Sequence, residues 1–160
     1  MNGTKIKEIK EIKKMTETEE TEDTKKILFV SNETERFMTN ENFHEAIITM
    51  FENNHKYDSN IDMRIILPLN EKIITKFSDR LKFIGRIDVE YGLNYKCCGI
   101  FTFIEGDVIY YFLENDYYLN NVYHYIFVND DIKFTFFGNA VLALLEHIDF
   151  MPNIFRWEFC

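Results

Sequence analysis

The side chains best suited to chemistry are histidines and cysteines, and their spacing forms no recognisable site. Cys97 and Cys98 are adjacent, whereas zinc-binding and redox cysteine pairs are separated by at least two residues, and Cys160 stands alone. No histidine stands at a metal-ligand spacing from Asp, Glu or Cys. We therefore expect reduced thiols, no bound metal and no cofactor. The histidines are His44, His55, His124 and His147.

Tyrosines cluster between residues 110 and 125, and two interpretations of this cluster stay open. An exposed row of rings could stack on sugars and bind a glucan. The same rings could instead pack inside the domain, where aromatic side chains bury large areas. The cluster consists of Tyr110, Tyr111, Tyr117, Tyr118, Tyr123 and Tyr125.

The composition indicates one globular domain that must position any such site. A chain of 160 residues that is 46% hydrophobic is long enough to bury a core. Its formal net charge of -9 differs from the basic surface of nucleic-acid-binding proteins, so we expect no nucleic-acid partner. We find no signal peptide and no apolar run of about 20 residues, so we expect no membrane association and a cytoplasmic location.

Residues 1–25 differ from the rest and are predicted to be a charged tail. They lack aromatic residues and change from a Lys-rich block to a Thr/Glu-rich block. Ile6, Ile9, Ile12 and Met15 form one thin helical stripe. We expect a solvated tail that does not pack on the core, with a weak docking helix as the alternative.

Residues 26–160 show the pattern of an α/β domain with a mainly parallel sheet. Apolar runs at 27–30 and 63–67 are typical of buried parallel strands, and Pro68 ends the second run. Between them, the apolar spacing of residues 42–54 predicts a helix, which completes a βαβ unit.

The second half of the chain is predicted to add antiparallel strands, a helix and a last parallel strand. A hairpin should join 99–104 to 108–113 through Gly106 and Asp107. The last strand is expected at 153–158. A helix over 130–146, capped by Asn129 or Asp130, should bury a stripe made of Phe134, Phe137, Val141, Leu144 and Leu145.

Four segments, in this order, resemble the bacterial glycogen/starch synthase family, which are ADP-glucose-dependent α-1,4-glucan synthases. The family typically begins with KILFVSSE and has a CGI strand, a YFIDNxYYF segment followed by YGY, and an RFxFFxxAVLE helix leading to PDIIH. The matching segments are KILFVSNE from Lys26, CGIF from Cys98, YYFLENDYYL from Tyr110 with Tyr123–Tyr125, and KFTFFGNAVLALLEHIDFMPNI from Lys133.

The resemblance implies the Rossmann-like N-terminal half of a two-domain GT-B glycosyltransferase, with an inserted antiparallel hairpin. It also implies a KTGGL loop that binds the phosphates of ADP-glucose through a lysine and close backbone amides. Here Thr39 stands at the lysine position, Asn40 follows, and Glu41 and Asn42 replace the two glycines. Glu41 brings a negative charge towards a diphosphate, and both larger side chains occupy backbone space.

Two further family positions are also substituted. Ungapped, the acidic residue that faces the sugar falls on Asn129, and the arginine after it falls on Lys133. In the PDIIH segment Asn153 replaces the aspartate and Arg156 replaces the histidine beside the transferred sugar. Arginine has no neutral form, so it cannot take over a histidine's role.

These substitutions predict a degenerate, truncated synthase-like protein, a pseudoenzyme without transferase activity alone. The family ligands, ADP-glucose and α-glucan, are then doubtful partners. One alternative is a non-catalytic module that binds glucan or a synthase. Another is one half of a two-chain glycosyltransferase. An open strand edge at the C-terminal segment predicts self-association through Phe155, Trp157 and Phe159.

Overall fold

The computed structural model describes residues 24–34, 60–119 and 130–158, together with positions 45, 46, 49 and 53. The described elements are β1 (Lys25–Ser31), β2 (Ile61–Pro68), α1 (Glu71–Phe77), β3 (Lys82–Tyr91), β4 (Asn94–Glu105), β5 (Val108–Glu114), α2 (Asp130–His147) and β6 (Ile154–Glu158). Residues 1–23 of the predicted tail lie outside the described residues, as do Phe159 and Cys160, whereas Lys25, which was assigned to the tail, begins β1.

The six described strands form one sheet in the order β3-β4-β5-β2-β1-β6. The strands β5, β2, β1 and β6 run parallel to one another, and β4 and β3 extend the sheet antiparallel beyond β5. This confirms the predicted mainly parallel sheet, including the neighbouring positions of 27–30 and 63–67. The hairpin also forms as predicted, with Gly106 in its two-residue turn at a φ of 59°, which glycine adopts without strain.

The sheet is covered on both faces, which gives two cores. One face packs against α2 and buries Leu28, Val30, Ile100 and Leu113. The other face packs against α1. Its buried residues are Phe29, Met63, Ile65, Leu67, Leu69, Ile73, Phe103, Val108, Tyr110 and Phe112. Because successive side chains of a strand point to opposite faces, neighbouring apolar residues such as Tyr110 and Tyr111 belong to different cores.

The helix predicted at 42–54 and the helix α2 differ from expectation in detail. The four described positions between 45 and 53 are helical, but Ala46, which was assigned to the apolar face, is exposed. In α2 the buried residues are Phe136, Phe137, Ala140, Val141 and Leu144, whereas Phe134 and Leu145 are only partly buried. The buried face of α2 therefore differs from the predicted stripe. It includes Phe136 because the Phe136 ring stacks on Tyr118 at 4.5 Å and meets Tyr91 edge-on.

The two central cysteines differ in exposure, which gives a chemical test of the fold. Cys97 is exposed and Cys98 is buried on the α2 face of β4. Burial, together with the nearby Cys97 and Glu114, raises the pKa of the Cys98 thiol to about 12. The protonated Cys98 thiol therefore contributes to the stability of the fold. This contribution is fully present below the unfolded pKa of about 8.5 and is lost as pH rises towards 12.

We expect iodoacetamide at pH 8 to modify Cys97 but not Cys98 in a Cys160→Ser background. The thiol of Cys98 is both buried and protonated, whereas thiolate is the reactive form. Peptide mass spectrometry measures the adducts. Between pH 8 and pH 11 the urea midpoint should fall less in Cys98→Ala than in Cys97→Ser, the matched control. Native-state labelling of Cys98 as fast as Cys97 would contradict the assigned faces of β4.

Candidate functional site

The carboxyl ends of the parallel strands form the candidate site. In open α/β sheets, ligands bind beyond these ends, at the point where the strand order reverses. Here the chain passes from β1 to β2 and β5 on one side and returns to β6 on the other, so the order reverses between β1 and β6. The register pairs Ser31 at the end of β1 with Glu158 at the end of β6.

The turn after β1 is fixed by side-chain hydrogen bonds. The Glu33 N–H donates to Ser31 Oγ at 3.2 Å, and the Thr34 hydroxyl donates to the carbonyl oxygen of Pro68 at the end of β2. Ser31 and Thr34 are both buried. These bonds tie the ends of β1 and β2 together and hold Asn32 and Glu33 above the sheet.

The turn after β5 forms a second wall. Asn115 Oδ1 accepts hydrogen bonds from the N–H groups of Tyr117 and Tyr118, at 3.1 and 2.9 Å, and its Nδ2 donates to the Cys97 carbonyl at 3.0 Å. Such a side-chain-capped turn replaces a backbone turn. It places Tyr118 against Phe136 of α2, so the β5 turn and the helix are packed as one unit.

Between these turns and the first turns of α2 lies a cavity of about 290 Å³. This volume is at the lower end of ligand pockets, which run from about 300 Å³ upwards, and it suits one small group better than a whole nucleotide sugar. The lining residues are Asn32, Glu33, Pro68, Tyr118, Leu119, Asp130, Lys133, Phe134 and Phe137.

The charges of the cavity oppose an anionic ligand. Glu33 and Asp130 contribute carboxylates, and Lys133 is the cation among the described lining residues. A helix N-terminus attracts anions through its dipole and its unpaired N–H groups. In α2 the first turn already carries Asp130 and Asp131, so the helix's own carboxylates occupy that role.

A hydrogen-bond acceptor makes the cavity better suited to a neutral ligand than to an anion. Asn32 lines the cavity, and its Oδ1 is buried without a hydrogen-bond partner among the residues that the structure describes. A buried acceptor without a donor costs free energy, so a hydroxyl that enters the cavity would gain by donating to it. The arrangement can bind a hydroxyl-rich, uncharged group, and it offers little to a diphosphate.

The predicted site residues are only partly brought together. Lys133, the residue at the family's arginine position, lines the cavity at the start of α2, and Asp130 lies beside it in the lining. Asn129, and the loop residues Thr39, Asn40, Glu41 and Asn42, lie outside the described residues, so those assignments stay predictions.

Arg156 is not among the residues that line the cavity. It is an exposed residue in the middle of β6, opposite Phe29 of β1, and the β6 residue level with the end of β1 is Glu158. Asn153 lies at the amino end of the sheet. Its N–H donates to the Lys26 carbonyl at 2.8 Å and its Oδ1 accepts from the Lys26 N–H at 2.9 Å, so Asn153 holds β6 to β1.

The four described tyrosines of the cluster do not form a continuous stacking face. Tyr110, Tyr111 and Tyr118 are buried, and burial raises the pKa of Tyr110 well above its usual range. Tyr117 is 41% exposed and packs edge-on against Tyr118. Tyr123 and Tyr125 lie outside the described residues. The packing interpretation is therefore correct for the buried three, because their strand and turn positions place them in the two cores.

Sequence reasoning missed Asn32, Glu33 and Leu119 as lining residues. The position of Asn32 and Glu33 in the sequence could have indicated them, because polar residues that directly follow a buried parallel strand lie at the ligand-binding edge of such a sheet. Among the described residues, no set of three or more His, Cys, Asp or Glu side chains is grouped to hold a metal ion. No helix in the described ranges is long and apolar enough to cross a membrane.

The sequence is similar to those of known starch and glycogen synthases. The family model for the starch synthase catalytic domain matches residues 26–157. A glycogen synthase of Oceanobacillus iheyensis is 29% identical over 130 residues, which is 81% of this chain and 27% of that protein. A glycogen synthase of Clostridium kluyveri is 31% identical over 129 residues, again 81% of this chain and 27% of that protein.

A solved structure shows the same fold. The catalytic domain of starch synthase IV from Arabidopsis thaliana, bound to ADP and acarbose, superposes with a TM-score of 0.59 at 14% identity. The superposition covers 84% of this chain and 28% of that one. The chain therefore has the α/β fold of part of a starch synthase catalytic domain, and it spans about a quarter of the length of the relatives it matches.

Proposed function

The chain belongs to the glycogen/starch synthase family, and on that premise we propose that it is a degenerate member without glucosyl transferase activity of its own. The family reaction transfers glucose from ADP-glucose to an α-1,4-glucan, and it needs positive charge and close backbone at the diphosphate. The observation that carries the proposal is the charge of the cavity at the strand ends, where Glu33 and Asp130 oppose the single described cation, Lys133.

The substitutions at the other family positions support the same proposal. Thr39 cannot supply the charge of a lysine, and Glu41 adds a negative charge. A hydrogen bond to a charged group contributes about 1.5–3 kcal/mol, so the loss of the lysine alone removes a large part of phosphate affinity. We further propose that residues 26–160, together with Lys25 at the start of β1, act as one domain and that residues 1–24 form a tail outside it.

A second candidate is a non-catalytic module that binds glucan. The observation in its favour is the buried Oδ1 of Asn32, which has no partner in the described part of the chain and lies in a cavity of about 290 Å³ that suits a sugar hydroxyl. It is tested by titrating maltoheptaose into the chain and into Asn32→Ala. Saturable binding that the substitution weakens would favour the module. Self-association through β6 is a separate proposal that rests on a different surface.

We expect ADP to bind more weakly than about 1 mM, if it binds at all, because the cavity presents two carboxylates to a diphosphate. Isothermal titration calorimetry of the full chain with ADP measures this. The matched variant is Lys133→Ala, which removes the one described cation of the cavity. A saturable heat in the micromolar range that Lys133→Ala abolishes would overturn the proposal, since it would show a working phosphate site.

A further inference from the structure

The strand β3 is the outermost strand of the described sheet on the side away from β6. Its pairing with β4 ends in a two-residue turn at Gly92 and Leu93, between Tyr91 and Asn94. The residues that flank such a turn are hydrogen-bonded to each other, so the residue before them points its backbone groups away from the neighbouring strand. In β3 that residue is Glu90.

A hydrogen bond from α2 shows which backbone groups of β3 face outward. Asn139 Nδ2 donates to the Glu90 carbonyl at 2.9 Å, as a carbonyl that points away from β4 allows. Outward and inward groups alternate along an antiparallel strand, so the N–H and C=O groups of Arg86 and Asp88 face outward too. In the described part of the chain, these outward groups of Arg86 and Asp88 receive no hydrogen bond.

A groove of about 490 Å³ lies beside this edge, between the hairpin and α2. Asp88, Glu90 and Tyr95 line it from the hairpin, and Asn139 and Leu142 line it from the helix. Leu142 is 66% exposed. A groove that joins a strand edge to a helix can accept an added strand, and open strand edges tend to pair with another chain.

The exposed face of β3 carries charges of both signs. Arg86, Asp88 and Glu90 are exposed and alternate with residues such as Ile87, which is buried in the core under α2. The Arg86 guanidinium lies over the Phe83 ring of the same strand, 5.4 Å from the ring centre, so it stays on the charged face. Charges on a strand edge usually prevent pairing, and here their order permits one partner strand in one register.

We propose that two copies of this chain dimerise by antiparallel pairing of their β3 edges about a twofold axis at Ile87. In this register Arg86 lies opposite the partner's Asp88, and Asp88 lies opposite the partner's Arg86. Both positions have outward backbone groups, so each pair exchanges two N–H to C=O hydrogen bonds. Directly opposite side chains share a face, so each arginine meets an aspartate. The contact is isologous and closed, which is the commonest symmetry of homo-oligomers.

Charge selects this register among those that the outward backbone groups allow. An axis at Arg86 sets two arginines opposite each other, and an axis at Asp88 sets two aspartates opposite each other. An axis at Val89 sets Asp88 opposite the partner's Glu90 on both sides. Like charges directly opposite on neighbouring strands are destabilising. Of these four registers, the one centred on Ile87 contains no pair of like charges.

Charge reversal tests the proposal on the full 160-residue chain. Sedimentation velocity should show a dimer for the wild type. Arg86→Asp and Asp88→Arg should each weaken it by about tenfold or more, because each change sets like charges opposite at both symmetric positions. The double variant, in which the two charges are exchanged, should recover the wild-type dissociation constant. Lys76→Asp, at an exposed position of α1, makes the same change of charge as Arg86→Asp and should dimerise as the wild type does.

Disulfide cross-linking tests the register and separates this contact from any pairing of β6. The background is Cys97→Ser with Cys160→Ser. One copy carries Arg86→Cys and the other Asp88→Cys, which sets the two new thiols directly opposite at a Cα separation that a disulfide spans. The remaining Asp88 and Arg86 still face each other in this mixed dimer. The mixture should form an oxidised dimer several times faster than either variant alone.

A monomer throughout the accessible concentrations would overturn the proposal. So would a dimer that neither single reversal weakens, or a mixture of the cysteine variants that cross-links no faster than the separate variants. Cross-linking of Asp88→Cys alone at the rate of the mixture would place the axis at Asp88 and contradict the register. If a single reversal folds poorly by far-UV circular dichroism, an equimolar mixture of the two reversals decides the matter, because it should form a heterodimer with every charge opposite its counterpart.

Discussion

Replacement of Phe112 by alanine is expected to lower the free energy of unfolding by about 3–5 kcal/mol. Phe112 is fully buried in β5, and its ring lies 5.4 Å from that of Phe103 and 6.4 Å from that of Tyr110. These neighbours are held on hydrogen-bonded strands, so they cannot move in to fill the space. Domains of this size are stable by only about 5–15 kcal/mol, so the loss is a large share of the total.

Urea denaturation followed by circular dichroism measures the change, with Phe83→Ala as the matched control. Phe83 is 51% exposed on the outer strand β3, so the same truncation there should cost less than about 1 kcal/mol. Phe112→Leu keeps most of the buried volume and provides a milder variant if the alanine form does not fold. Equal losses at Phe112 and Phe83 would contradict the assignment of Phe112 to a packed core.

The elements predicted from the sequence are those with a strong local pattern. The runs at 27–30 and 63–67 are apolar without interruption, which indicates strands covered on both faces, and the structure places them side by side. The hairpin at Gly106 was predictable because a positive φ in a two-residue turn favours glycine. In these places local chemistry and the final fold agree.

The missed features depend on tertiary contacts. The helix α1 has only seven residues, and its signal was its cap, since Asn70 Oδ1 accepts the Ile73 N–H at 2.9 Å. Phe136 is buried because Tyr118 and Tyr91 come to it from a turn and a distant strand. The apolar spacing within α2 cannot reveal partners that lie outside the helix.

At the candidate site, motif matching and strand register place the same residues differently. Matching the sequence to family motifs assigned Arg156 to the sugar site, but only the pairing of β6 with β1 shows which residue is level with the strand ends. The pairing shows that Glu158, and not Arg156, is level with the carboxyl end of β1. Asn153 lies at the opposite, amino end of the sheet. The substitutions at Thr39, Glu41, Asn42 and Asn129 stay predictions from the sequence.

The second large effect concerns catalysis. We expect the chain to transfer glucose at less than about one ten-thousandth of the rate of a full-length family member. Each lost donor to developing charge costs about 10²–10³ in rate, and several family positions are substituted at once.

The most direct test is incorporation of radiolabelled glucose from ADP-glucose into glycogen by the purified chain. The full-length glycogen synthase of Clostridium kluyveri is assayed beside it as the positive control. The result expected is incorporation equal to that of a protein-free sample, at every protein concentration. Incorporation that rises with time and with the amount of the chain, and that Lys133→Ala reduces, would contradict the proposal that this family member is inactive.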